Sequence, residues 1–106
     1  MITSDIFVTL KFYPQDKGGR NMPTPPRFFS CMFVIDNSNY DVRLLLEKIG
    51  SIFPGDEKKD VPVKFLCVDL VIPKIKTGDK FYIRDGRIVT EGTVQEIINT
   101  DPISSA

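Results

Sequence analysis

The stretch KFYIRDGRIVTEGTVQE, residues 80–96, decides how the rest of the chain is read. Two apolar-rich, β-branched runs, 80–84 and 87–96, flank Asp85-Gly86. Glycine accepts the positive φ that a tight reversal demands, so Asp-Gly between such runs is a strong hairpin signal. Two strands joined in this way cannot bury a face alone and require further strands.

Working outward, those strands are supplied. Residues 6–13 alternate, with Val8, Leu10 and Phe12 on one face and Thr9 and Lys11 on the other, which predicts a half-buried strand. Residues 28–35 form a second run, apolar on both faces, broken by 36–39. The longest strand candidate is 61–72, with Pro62 near its start and Pro73 beyond its end. Between these lie turn makers: the loop 14–26 with Gly18-Gly19-Arg20 at its middle, then Pro54-Gly55-Asp56 and Thr77-Gly78-Asp79. Residues 42–53 are two-sided. Val42, Leu45, Leu46 and Ile49 keep helical spacing, with Asn39 as a cap and Gly50 as a stop, which favours a short helix near 40–50 over a strand. Five or more strands separated by tight turns indicate an all-β barrel or sandwich. A single domain over 1–98 with a flexible polar tail over 99–106 follows.

Composition narrows the functional classes. The chain has 106 residues, the size of one ordinary domain, with 42% hydrophobic and 26% charged residues. No run reaches the roughly 20 apolar residues of a membrane helix, and the N-terminus lacks a signal-peptide order, so a cytoplasmic protein without membrane partners is expected. Fourteen basic residues balance 14 acidic ones, which argues against strong non-specific nucleic-acid binding. Absence of histidine removes Ser-His, Cys-His and histidine–metal chemistry. Cys31 and Cys67 lie in apolar runs and read as buried free thiols, with a disulfide as the alternative. Neither pairs with a second close ligand, so no metal site is expected.

Other acidic and glycine-rich segments carry little chemistry. Residues 50–55 resemble the start of a phosphate-binding loop, but Asp56 and Glu57 stand where Lys and Ser or Thr belong, so no nucleotide and no cofactor is expected. Asp56, Glu57 and Asp60 share a mixed run with Lys58 and Lys59, which reads as a solvated loop. Asp69, inside an apolar run, reads as an outward-facing position or one satisfied by a partner.

Several of these segments occur together, and in the same order, in one family. Lys17-Gly18-Gly19-Arg20 is followed by Pro23 and by Arg27 before Phe28-Phe29. Pro54-Gly55-Asp56 comes next, and 81–87 then runs into 89–94. The chain resembles the third, C-terminal β-barrel domain of translation elongation factor Tu from about Asp5 to Ile97. The resemblance implies a six-stranded antiparallel β-barrel without catalysis of its own. It further implies contacts with aminoacyl-tRNA, with the exchange factor Ts, or with a GTPase domain absent here. Arg20 would stand at a tRNA-contacting arginine, and Asp85 and Gly86 at residues touching the T stem. The chain departs from the family in a hairpin one glycine shorter and in Ile72 where a basic residue precedes the proline.

The expected function is therefore a non-catalytic protein-binding module, a stand-alone relative of that domain connected to translation or to mimicry of the factor. Tyr13 and Tyr82 are exposed-looking aromatics that suit it. The alternative is a module binding tRNA or other RNA, with Lys17, Arg20, Arg27 and Arg84 as a phosphate-facing cluster. The candidate site residues are Lys17, Arg20, Arg27, Arg84, Asp85 and Gly86.

Overall fold

The computed structural model describes residues 4–98; the tail expected over 99–106 lies outside them. Six strands form a closed antiparallel barrel: β1 (Ile6–Phe12), β2 (Phe28–Ile35), β3 (Ser38–Leu45), β4 (Glu57–Phe65), β5 (Lys80–Asp85) and β6 (Arg87–Ile97). Around the wall the order is β1-β4-β3-β2-β5-β6, and β6 returns to β1. Closure gives every strand a neighbour on each side, although β2 meets β5 only over Met32–Val34. Among the described residues no helix is long and apolar enough to cross a membrane.

The period-2 pattern of β1 is realised: Ile6, Val8, Leu10 and Phe12 are buried, whereas Lys11 is exposed. The centre of the barrel is aromatic. Phe33 stacks on Phe81 at 4.3 Å between centroids and meets Phe65 edge-on at 5.0 Å. Gly92 lies directly opposite Phe81 across the β5–β6 ladder. A Cβ on Gly92 would sit 2.4 Å from Phe81 Cζ, so the absence of a side chain there makes room for the ring.

Two loops are built alike. In 53–56 and in 76–79 a glycine at positive φ (Gly55, 89°; Gly78, 94°) precedes an aspartate. The aspartate N–H donates to the carbonyl three residues back, at 3.0 Å for Asp56 to Phe53 and 3.1 Å for Asp79 to Lys76. Its carboxylate accepts the N–H of that same residue, at 3.1 and 3.0 Å. Each loop is then pinned to a neighbouring strand: Gly55 N–H donates to Phe12 and Phe12 N–H to Asp56, while Gly78 and Asp79 exchange the same pair of bonds with Val94. Proline at position 54 presets the first corner, as the sequence implies.

Bulges adjust the wall. The register of β1 shifts between Val8 and Leu10 against β4 and between Phe7 and Val8 against β6. Gln95 spans the two irregularities: its Oε1 accepts from Thr9 Oγ1 (2.8 Å) and from Asp60 N–H (2.7 Å), and its Nε2 donates to Asp60 Oδ1 (2.8 Å). Asp60 takes φ of 57° to make this fit. Asp5, buried, accepts from the Phe65 N–H at 2.9 Å and from Lys64 Nζ at 3.3 Å, tying β1 to the end of β4.

Four expectations are corrected. First, the helix expected within 42–53 is strand β3 through Leu45. Asp36 and Asn37, at φ of 50° and 64°, make a two-residue turn of the kind that matches strand twist. The chain therefore re-enters the sheet at once, paired with β2 from Ile35↔Ser38 to Phe28↔Leu45. Helical spacing survives only as one turn, in which Ile49 and Gly50 N–H both donate to the Leu46 carbonyl and Gly50 stops it at φ 84°. Second, the run 61–72 is not one strand. β4 ends at Phe65, and a single-turn helix, α1 (Val68–Val71), and a 3-10 turn (Ile72–Lys74) follow. Third, the break exposes Cys67, whereas Cys31 is buried and both are free thiols; Asp69 is exposed on α1. Fourth, the charged run 57–60 is the start of β4 rather than a loop.

Candidate functional site

The sequence candidates gather around the β5–β6 turn, but not as one cationic cluster. Gly86, at φ 79°, reverses the chain between Asp85 and Arg87, which pair across the ladder. The loop 14–26 folds onto this tip. Gly19 packs so closely that a Cβ there would lie 1.9 Å from the Tyr13 carbonyl oxygen, which explains the second glycine of the pair. Gly18, at φ 92°, supplies the reversal.

Arg20 and Arg87 hold the loop and the tip together from both sides. Arg20 forms an ion pair with Asp85, donates from Nε to the Met22 carbonyl at 3.3 Å, and lies 4.6 Å from the centroid of Phe29. Arg87 donates to the carbonyls of Gly18 and Gly19, each at 2.9 Å. Thus Arg20 is only 14% exposed and its charge is met within the molecule. Lys17 and Arg27 are exposed but line neither recess beside the tip.

The larger recess is an open groove of about 760 Å³ on the outer wall. It runs from the tip (Arg84, Asp85, Gly86) across β2 (Ser30, Met32) and β3 (Asp41, Arg43) to the end of β4 (Lys64, Leu66). Strand register makes it. Met32 stands between Arg84 on β5 and Asp41 on β3, and Arg43 between Ser30 on β2 and Lys64 on β4. Outward side chains of four strands therefore converge. Its lining is more apolar than polar, with Met32, Phe65 and Leu66 among the lining residues, and Leu66 is 74% exposed. Phe28, 42% exposed, carries the Arg43 guanidinium 5.8 Å from its ring centroid.

Cys31 borders the groove, but burial, with Asp85 nearby, pushes its thiol up to about 12 against an opposing effect of Arg20. A thiol so protonated is a poor nucleophile. Among the described residues no group of three or more His, Cys, Asp or Glu could hold a metal ion. Ile72, where the resembling family carries a basic residue, is buried.

Arg43, Lys64, Leu66 and Arg87 were not singled out from the sequence. Each is an ordinary residue in its own segment, and only the strand register and loop packing bring them to the site. No protein-family model matches the chain, and no curated protein is significantly similar to it.

Proposed function

We propose that this barrel is a non-catalytic, cytoplasmic protein-binding module that engages its partner through the groove between the β5–β6 tip and the end of β4. The observation that carries the reading is the groove itself: a lining more apolar than polar that includes exposed Leu66 together with charged side chains, with exposed Phe28 nearby. Apolar area surrounded by polar side chains is the composition of a protein interface. The resemblance to the third domain of elongation factor Tu is kept as part of this proposal. It suggests a partner in translation, or a protein that normally engages the factor, and a closed barrel of six strands suits it.

The RNA alternative loses support from Arg20, whose guanidinium is engaged by Asp85 and Phe29 instead of facing solvent. The test is capture from a lysate of the source cells with and without RNase. A specific protein retained after RNase is expected. Capture of tRNA that falls steeply with salt and on Arg20→Ala would contradict the proposal and favour the RNA reading.

A further inference from the structure

The β2–β5 ladder is short: it pairs only Met32–Val34 with Tyr82–Arg84. The two-residue hairpin makes Ile35↔Ser38 a hydrogen-bonded pair, and alternation along an antiparallel ladder then turns the amides of Phe33, Cys31 and Phe29 toward β3. Arg27 continues this parity, since its carbonyl accepts the Leu46 N–H. Val34, Met32, Ser30 and Phe28 therefore aim their amides to the other side. Val34 and Met32 meet β5 there, but β5 turns away at Asp85, so Ser30 and Phe28 have no strand opposite them. Arg20 and Asp85 join across the core side of this gap, over the inward ring of Phe29. Ser30 lines the groove on the outer side.

The charges around the gap are unequal. Arg43, Lys64 and Arg84 face Asp41 and Asp85. Asp85 is engaged by Arg20 and Lys64 by Asp5. Arg43 and Arg84 remain, without an ion-pair partner among the described residues, against Asp41 alone. The chain as a whole is neutral, so this excess of positive charge is local to the groove.

We propose that an extended, acidic segment of a partner protein adds as a short strand to the open edge of β2 at Phe28–Ser30, with its carboxylates against Arg43 and Arg84. This rests on the protein-binding reading and gives that partner its chemistry. Main-chain pairing supplies a docking register that the chain leaves unused, and side chains of one parity reach the groove.

The test uses two fluorescein-labelled heptapeptides, one alternating glutamate and valine, the other lysine and valine, titrated with the full chain by fluorescence anisotropy. Two variants separate charge from backbone. Arg43→Glu/Arg84→Glu reverses the rim. Ser30→Pro removes one of the two N–H groups, those of Phe28 and Ser30, aimed into the gap, at a position where it is not needed by β3, as proline requires in a strand. Circular dichroism verifies that both retain the fold. The glutamate peptide is expected to bind about tenfold or more tightly than the lysine peptide. Reversal of the rim should invert that preference, and Ser30→Pro should weaken the glutamate peptide with the preference kept. Equal binding of both peptides, no binding of the glutamate peptide, or affinities unmoved by folded variants would overturn the proposal. A protein partner captured by the chain while the glutamate peptide fails to bind would overturn the strand-addition site and leave the protein-binding reading standing.

Discussion

Arg20 and Asp85, 65 residues apart in the sequence, are an ion pair that joins the loop after β1 to the β5–β6 tip, with the Arg20 guanidinium resting over Phe29. The pair makes Arg20 a structural residue. Asp85 is 41% exposed, so solvent screens the attraction and the coupling between the two side chains should be modest, about 0.5–1 kcal/mol in a double-mutant cycle followed by urea unfolding. Arg20→Ala should cost more than Asp85→Ala, because it also removes the contact with the ring, worth roughly 0.5–2 kcal/mol. Equal costs for the two single variants would contradict the stacking contribution.

Thr90 offers a gain in stability. It is fully buried on β6, and its Oγ1 has no hydrogen-bond partner. A register shift opposite Ile83/Arg84 turns Val89 and Thr90 inward together, which brings the hydroxyl into the core. Thr90→Val keeps the shape and removes the unsatisfied group. It is expected to stabilise the barrel by about 1 kcal/mol, seen as a higher urea midpoint with unchanged slope.

Two glycines should resist alanine for reasons of space. Gly19→Ala places a Cβ against the Tyr13 backbone, which cannot swing aside, and Gly92→Ala places one against the Phe81 ring. Overpacking of this kind costs about 1–3 kcal/mol and at times more. Phe81 can shift only by disturbing its stack with Phe33, so Gly92→Ala should also alter the near-ultraviolet dichroism. Gly19→Ala is expected to be the more damaging of the two, since backbone must move.

The cysteines should separate cleanly. Cys67 is exposed and should react with a thiol reagent in the native protein, whereas Cys31 should react only on unfolding. With its native pKa raised from 9.0 to about 12, Cys31 stays protonated in the fold while the unfolded chain ionises. The unfolded state then holds fewer protons, so this group's contribution to stability is intact below about pH 9 and declines as pH rises toward 12. The decline should shrink in Cys31→Ala relative to the wild-type chain, measured by urea unfolding at a series of alkaline pH values.

Legibility followed the range of the interaction. The alternation of Val8, Leu10 and Phe12, the turn at Pro54-Gly55-Asp56 and the reversal at Asp85-Gly86 are local, and each stands in the structure as the residues imply. The strand β3 was hidden because Val42, Leu45, Leu46 and Ile49 satisfy helical spacing equally well. Pairing with β2 along its whole length, set by the positive φ of Asp36 and Asn37, overrides that preference. The end of β4 was hidden because 65–68 is continuously apolar and carries no turn residue; the chain leaves the wall after Phe65 and buries Val71 and Ile72 from a helical turn instead. Of the residues lining the groove, Arg84 was a candidate in the sequence as part of a basic cluster, and Asp85 and Gly86 through the resemblance. Arg43 and Lys64 were not, because their convergence depends on the register of three strands.

The most direct test of a protein-binding barrel compares capture of a specific partner by the wild-type chain and by Arg43→Glu/Arg84→Glu, both in the presence of RNase and both verified as folded. The expected result is a partner retained by the wild-type chain and lost from the reversed one. A partner held equally by both, or material that disappears from the wild-type chain when RNase is added, would contradict the account.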